Sequence, residues 1–120
     1  MLKINHNLKD ALRAYLSLLE REEYFEAHEA LEEAWHPLRE RQDPMRHVVK
    51  GFINGAISFE HIKRNRKNGK RNAQKVIASY ERYKHLRYET REYRELFDEA
   101  YQQIESLKSR HKEVFDVLVS

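Results

Sequence analysis

The sequence predicts an all-α protein, a bundle of about five helices that form one domain over residues 1–120. Apolar residues recur at helical spacing along most of the chain. Charged residues make up 36% of the composition, and only three glycines and two prolines interrupt it. These proportions are typical of a helical protein, and 120 residues are enough for one substantial core.

The first predicted helix covers residues 8–20. Asn7 is a favourable N-cap residue, and Asp10 places a negative charge in the first turn. Its apolar residues recur at helical spacing: Leu8, Ala11, Leu12, Tyr15, Leu16 and Leu19. No glycine or proline separates this segment from the next, so a break at residues 21–23 and one continuous helix to residue 35 both remain open.

The second predicted helix runs from about residue 24 to Leu38 or Glu40. Pro37 lies near its end. A proline inside a helix removes one hydrogen bond and crowds the preceding turn. We therefore expect a stop or a kink around His36.

A histidine and a carboxylate are expected on or beside the buried seam of this helix. His28, Glu32 and Trp35 share one face because residues three, four and seven apart do so, and Phe25 and Leu31 lie next to it. An unpaired buried carboxylate costs several kcal/mol, so the Glu32 side chain is expected to meet a partner across the fold.

The third predicted helix, at about residues 44–66, is the expected centre of the bundle. Asp43 and Pro44 form a start signal, and the segment is apolar nearly all round. Gly51 and Gly55 lie four residues apart within it. Since glycine costs a helix interior about 1 kcal/mol, this pair suggests the close approach of a neighbouring helix, and chance is the alternative explanation of the spacing.

Polar side chains also follow one side of the third helix: Lys50, Asn54, Ser58 and His61. A helix this apolar leaves little space for a solvent-exposed row. We therefore expect the row to face His28 and Glu32, so that the polar groups of both helices are satisfied.

The rest of the chain predicts two more helices. Asn68-Gly69 forms a turn, and Asn72 caps a fourth helix. Residues 86–89 form a connection, and Thr90 caps a fifth helix. The apolar seam of the fifth helix is Tyr93, Phe97, Ala100, Ile104 and Leu107, extended by His111, Val114 and Leu118.

Charge is divided unevenly along the chain. Residues 20–33 contain seven glutamates and one arginine. Residues 63–75, the basic run, contain seven basic residues and no acidic one: Lys63, Arg64, Arg66, Lys67, Lys70, Arg71 and Lys75. Such runs are usually solvated faces. The functional alternative is a surface that binds RNA or an acidic protein, although Tyr80 is the one nearby aromatic residue for base stacking.

Metal chemistry is restricted because the chain has no cysteine. A protease helix would need a second histidine where Glu32 stands, and a di-iron bundle would need a second copy of Glu33-x-x-His36. A single zinc, manganese or iron ion held by His28, Glu32 and His61 remains an interpretation. The alternative, which we favour, is a structural hydrogen-bond network of the same residues.

Residues 24–35 resemble the signature of the bacterial and archaeal family named domain of unknown function 309. The matching residues are Phe25, Glu26, Ala27, His28, Glu29, Leu31, Glu32, Glu33 and Trp35. Two weaker blocks are Lys50–Asn54 with Ala56, and the turn from Asn68 to Ala73. The family usually has glycine where this chain has Glu22. The resemblance implies a small helical bundle and a cluster of residues shared with the family, but it implies no activity. That cluster comprises His28, Glu32, Trp35, Lys50 and Asn54.

Three functions follow as hypotheses. The first is a pocket between the second and third helices that binds a small ligand or a divalent metal ion. Its candidate residues are His28, Glu32, Trp35, Lys50, Asn54 and His61. If the protein were an enzyme, which we do not favour, His28 would be the acid/base and Lys50 the anion anchor. The others are an RNA- or acidic-partner-binding module and a homodimeric scaffold.

The expected compartment is the cytoplasm. No apolar run approaches 18 residues, so no membrane span is predicted, and no signal-peptide pattern is present.

Overall fold

A computed structural model describes residues 7–88 and 90–116. Within them the regular structure is helical, with no strand, which confirms the predicted all-α class. The elements in chain order are α1 (Leu8–Glu20), α2 (Tyr24–Glu40), α3 (Met45–Arg64), α4 (Gly69–Val76), α5 (Ala78–Tyr83), a 3-10 helix (Lys84–Tyr88), α6 (Arg94–Arg110) and α7 (Lys112–Phe115).

The third helix is central, as predicted, because α3 packs against α2, α4, α5, α6 and the 3-10 helix. Between Val48 and Phe59 only Lys50, Asn54 and Ile57 are not fully buried. These three lie on one line that continues at alternating spacings of three and four residues. We call this line the α3 stripe, and its members are His47, Lys50, Asn54, Ile57, His61 and Arg64.

The first helix has the predicted bounds and the predicted cap, since the Asn7 side chain accepts a hydrogen bond from the Asp10 backbone N–H at 3.1 Å. A break separates it from α2, so the alternative of one continuous helix is wrong. At the break Glu22 has a φ of 60°. This left-handed conformation favours glycine, the residue that the family resemblance leads one to expect there.

Helix α2 ends at Glu40, one of the two predicted ends, and of the stop or kink expected around His36 the stop is wrong, because the helix continues through Pro37. Because proline has no N–H, the Glu33 carbonyl receives no backbone hydrogen bond from residue 37. Glu33 is exposed, so water can supply that hydrogen bond. The final turn is held by Leu38, which is buried. Burial of the following turn thus outweighs one lost hydrogen bond.

The fourth predicted helix begins four residues earlier than expected and is interrupted. Asn68 rather than Asn72 is the N-cap residue of α4, and Ile77 separates α4 from α5. The connection predicted at residues 86–89 is largely taken up by the 3-10 helix. The backbone at Ile77 turns while its side chain stays buried, so both short helices remain packed on the core.

The fifth predicted helix is shorter at both ends than its apolar pattern suggested. It starts at Arg94 rather than after a Thr90 cap, and it ends at Arg110. His111 therefore lies outside the helix, and Val114 reaches the core from α7 instead. The predicted seam position Leu118 lies outside the described residues.

An aromatic cluster fills the centre of the core. The Phe52 ring lies 6.3 Å from Tyr15, 6.3 Å from Tyr80 and 5.6 Å from Phe97, measured between ring centroids. The buried Tyr15 hydroxyl donates a hydrogen bond to the Phe52 carbonyl oxygen at 2.6 Å. Burial raises the pKa of Tyr15 far above its ordinary value.

The two glycines of α3 do mark close approaches, as predicted. A Cβ atom at Gly51 would lie 3.0 Å from the Tyr80 Cα atom, and one at Gly55 would lie 3.0 Å from the Ile104 Cδ1 atom. The first contact is with backbone, so Gly51 sets how closely α5 approaches α3. At Gly55 the close contact is with the end of the Ile104 side chain on α6.

Side chains of opposite charge join α5 and the 3-10 helix to α6. Glu105 accepts a hydrogen bond from the Tyr80 hydroxyl at 2.6 Å and lies 3.2 Å from the Lys84 ammonium. Lys84 and Lys108 also pair with Glu81. Burial alone would raise the Glu105 pKa, but the Tyr80 hydroxyl, Lys108 and Lys84 together hold it below its ordinary value.

This arrangement predicts acid-dependent stability. The lowered Glu105 pKa stabilises the folded state above the unfolded-state pKa near 4.5, and this stabilisation is lost as the pH falls through the folded-state value. We expect Tyr80→Phe to lower the free energy of unfolding at neutral pH by about 1.5–3 kcal/mol, the usual range for a hydrogen bond to a charged group. We also expect its stability to fall less steeply with acid.

Urea unfolding followed by circular dichroism, at neutral pH and at about pH 3, measures both effects. Tyr101→Phe is the matched control because it also removes one hydroxyl from this region but leaves the bond between Tyr80 and Glu105 in place. Parallel pH profiles for wild type and Tyr80→Phe would contradict the prediction.

Candidate functional site

A groove of about 320 Å3 lies between the start of α2, the end of α3 and the start of α4. Aromatic, imidazole and guanidinium groups line it together. We call it the His28–His61 groove, and its characteristic side chains are Phe25, His28, Ile57, Glu60, His61, Arg64 and Arg66.

The His28 ring is held by groups of its own helix. Its Nδ1 atom lies 2.7 Å from the Phe25 carbonyl oxygen. A carbonyl only accepts hydrogen bonds, so Nδ1 carries the hydrogen and donates it. The Nε2 atom lies 3.5 Å from a Glu32 carboxylate oxygen. His28 therefore presents Nε2 as the atom that takes or gives up a proton.

The partner expected for Glu32 across the fold is absent from the described residues, and this expectation is corrected. The Glu32 side chain is 34% exposed, and its carboxylate lies 3.5 Å from the Nε2 atom of His28, one turn earlier. The buried seam of α2 consists of Tyr24, Ala27, Leu31, Ala34 and Leu38. His28 and Glu32 lie beside that seam, so the carboxylate keeps contact with water.

Phe25 is also placed differently from the expectation. Tyr24 takes the buried position, and the Phe25 side chain is 42% exposed at the groove. The His28 ring meets it edge-on, at 5.0 Å between centroids, and the Arg64 guanidinium lies 5.9 Å from its centroid. One side of the groove is thus an aromatic ring that is not part of the hydrophobic core.

The turn between α3 and α4 closes the far side of the groove. Asn65 ends α3 with a φ of 52°, which reverses the chain. A Cβ atom at Gly69 would lie 2.8 Å from the His61 carbonyl oxygen, so glycine lets the start of α4 press against α3. The His61 imidazole has no hydrogen-bond partner within residues 7–88 and 90–116.

The charge of the groove is positive. Arg64 pairs with Glu60, with its Nε atom 2.5 Å from the carboxylate oxygen. Arg66 is exposed and forms no ion pair with the described carboxylates. One guanidinium is therefore uncompensated by the described carboxylates, next to two histidines.

The polar row predicted along α3 does not form one cluster. His61 lines the groove with His28, but Asn54 donates to the Ser79 hydroxyl at 2.7 Å, toward α5. Ser58 is buried and donates to the Gly55 carbonyl at 2.6 Å. The α3 stripe runs through Ile57 instead, a position that the three-and-four spacing would have identified.

Two further predicted site residues meet at a second surface. The Lys50 ammonium lies 4.2 Å from the Trp35 ring centroid, and the Trp35 indole donates to the Arg46 carbonyl at 3.1 Å. Near them, the ring of His47 on the stripe stacks on the Tyr83 ring, with 4.7 Å between the centroids and 16° between the ring planes. We call this surface the Trp35 face: Trp35, Arg39, Arg46, His47, Lys50 and Tyr83.

No group of three or more histidine, cysteine, aspartate or glutamate side chains in the described parts of the chain is placed to hold a metal ion. His28 and Glu32 form a pair, and His61 lines the same groove as His28. A zinc, manganese or iron site at these three residues stays a prediction.

The basic run lies on the surface, since all seven of its basic side chains are exposed. Lys63 donates to the Glu22 carbonyl at 2.6 Å, which brings the run against the acidic residues 20–33 at one point. Tyr80, the aromatic residue considered for base stacking, is only 1% exposed and cannot stack on a base.

No helix among the described residues has the length and apolar character needed to cross a membrane.

Comparison with known proteins places the chain in a family. No curated protein and no solved structure shows significant similarity to it. The model of the family described as domain of unknown function (DUF309) matches residues 12–73, just over half of the 120 residues. The match includes α2, α3 and every residue that lines the His28–His61 groove. The chain therefore belongs to the DUF309 family, whose function is not established.

Proposed function

We propose that the protein binds a small organic anion with an aromatic or apolar part in the His28–His61 groove. The observation that supports this most directly is the presence of an exposed Phe25 ring, two imidazoles and two guanidinium groups in one groove of about 320 Å3. This volume lies in the range of small-ligand sites, which are mostly apolar with a few placed polar groups.

Each group has a distinct part in this proposal. The Phe25 ring and Ile57 contact the apolar portion of the ligand and remove it from water. Arg66, which has no carboxylate partner among the described residues, binds a carboxylate or phosphate with two parallel hydrogen bonds. His28 Nε2, backed by Glu32, adds a hydrogen bond whose direction depends on its protonation.

A thermal-shift screen tests the proposal. The probes are nucleoside monophosphates, sugar phosphates and aromatic carboxylates. A ligand at 100 times its Kd stabilises the folded state by about 2.7 kcal/mol, so a binder raises the melting temperature. We expect Arg66→Gln and His28→Ala to remove that shift.

Arg13→Gln is the matched control because Arg13 is exposed on α1, away from the groove. It should keep the shift. The proposal fails if no probe raises the melting temperature, or if both groove variants retain the full shift.

We also infer a second candidate function, the binding of RNA or an acidic protein by the basic run. The observation that favours it is that all seven basic side chains are exposed. Such binding weakens steeply with salt, so filter binding of a mixed RNA pool at several salt concentrations tests it. Because Tyr80 is buried, any base stacking has to come from another part of the molecule.

A further inference from the structure

We propose that the α3 stripe is the binding path for a single strand of nucleic acid. One nucleotide occupies the His28–His61 groove, and the strand continues along α3 to the Trp35 face. The inference rests on the proposed function of the groove as a site for an aromatic anion, and it names the class of ligand.

The stripe is an uncovered line on an otherwise enclosed helix. Between Val48 and Phe59, all positions of α3 that do not belong to the stripe are buried. From His47 to Arg64 the stripe spans 17 residue steps, or about 26 Å at the helical rise of 1.5 Å. Successive nucleotides of one duplex strand advance about 3.4 Å along the helix axis, and those of an extended single strand advance farther, so a few nucleotides fit along this length.

Several cations along this path, though not Arg64, lack acidic partners among the described residues. Lys50 and Arg39 form no ion pair with any described carboxylate, and both lie over the Trp35 ring, at 4.2 Å and 5.6 Å from its centroid. A cation–π contact positions the charge without neutralising it. At the other end Arg64 pairs with Glu60, but Arg66 forms no ion pair with the described carboxylates. Uncompensated positive charge therefore lies near both ends of the stripe.

Aromatic rings lie near these cations at both ends of the stripe. Phe25 is exposed in the groove, and Trp35, His47 and Tyr83 are partly exposed at the other end. His47 and Tyr83 are already stacked nearly parallel, at 16°. A base can extend such a stack, and interleaved cations and aromatic rings are the usual means of binding single strands. Bases in a duplex are already stacked and paired, so a single strand fits better.

The close packing of α5 supports this geometry. Gly51 allows the backbone at Tyr80 to approach α3, and the hydrogen bond from Asn54 to Ser79 joins the two helices beside the stripe. Tyr83 follows one turn after Ser79. It is thereby held against His47 before any ligand binds, which lowers the entropy lost on binding.

Fluorescence anisotropy with labelled ten-nucleotide oligo(U) and oligo(dT) tests the inference. We expect both to bind in a salt-dependent way, with tighter binding of oligo(U) if the 2′-hydroxyl is contacted. Lys50→Gln should reduce the slope of log K against log salt by about 0.7, since it removes one cation from a single-strand site. Tyr83→Leu, which keeps apolar bulk, should weaken binding about tenfold.

Arg13→Gln is again the control and should bind like the wild type. Circular dichroism of each variant establishes that it is folded. Unchanged decamer binding by both Lys50→Gln and Tyr83→Leu would overturn the inference.

Uridine monophosphate separates the two proposals. If it binds in the groove and the decamer binds no more tightly, the strand path is wrong while the groove proposal stands. If no small anion binds but the decamer does, and Lys50→Gln weakens it, the groove proposal fails and the groove is removed from the path. Binding of poly-glutamate but not of the decamer would identify the Trp35 face as a site for acidic protein and overturn the inference.

Discussion

Phe52→Ala is expected to lower the free energy of unfolding by about 3–5 kcal/mol, the usual loss when a fully buried phenylalanine is truncated. The Phe52 side chain is 0% exposed. Its ring contacts Tyr15 from α1, Tyr80 from α5 and Phe97 from α6. Truncation leaves a cavity where four helices meet. The free energy of unfolding of a domain is typically about 5–15 kcal/mol, so this substitution removes much of it.

Phe25→Ala is the matched control, with the same chemical change at an exposed position. The Phe25 side chain is 42% exposed, so its loss should cost about 1 kcal/mol or less, within the usual range for surface positions. It should instead weaken ligand binding in the His28–His61 groove. Urea unfolding of both variants gives the comparison. Equal losses would mean that Phe25 belongs to the core and that the groove is closed in solution.

The parts of the fold that sequence predicted well depend on local chemistry. The start of α1 follows from the Asn7 cap, and the central place of α3 follows from a helix that is apolar nearly all round. Gly51 and Gly55 predicted close approaches because glycine has little other use inside a helix. Each of these signals is contained within one turn or one helix.

The errors arise where a neighbouring helix decides the outcome. On α2 both Tyr24 and Phe25 suit a buried position, and only the placement of α3, with Phe59 5.7 Å from the Tyr24 ring, selects Tyr24. Pro37 stays inside α2 because Leu38 is anchored in the core. Helical spacing gives the faces of a helix but does not say which neighbour each face meets.

The candidate site was predictable in its members but not in its arrangement. His28 and His61 were identified as site residues, while Arg64 and Arg66 were assigned to the basic run. The left-handed turn at Asn65 brings these groups together with the start of α4. The sequence assigns the two sets of residues to alternative binding sites, whereas in the fold they line one groove.

Gly51→Ala is expected to lower the free energy of unfolding by about 1–3 kcal/mol, the usual loss on overpacking. The new Cβ atom would lie 3.0 Å from the Tyr80 Cα atom and 3.4 Å from the Ser79 carbonyl oxygen. Backbone cannot rotate away, so α5 has to move as a unit. The gain in helix propensity, about 1 kcal/mol, offsets only part of this loss.

Gly55→Ala is the control with the same propensity gain. Its Cβ atom would meet the end of the Ile104 side chain at 3.0 Å, and that group can change rotamer, so we expect the smaller loss. Thermal and urea unfolding measure both variants. A larger loss for Gly55→Ala would show that the α3–α6 contact, not the α3–α5 contact, limits the packing.

The same pair links packing to binding. A shift of α5 in Gly51→Ala moves Tyr83 away from His47, whose rings now stack at 4.7 Å. We therefore expect Gly51→Ala to weaken binding of the ten-nucleotide strand and to leave uridine monophosphate binding in the groove unchanged. Gly55→Ala should change neither, because α6 does not contribute to the α3 stripe. Loss of both ligands in Gly51→Ala alone would mean that α5 also supports the groove.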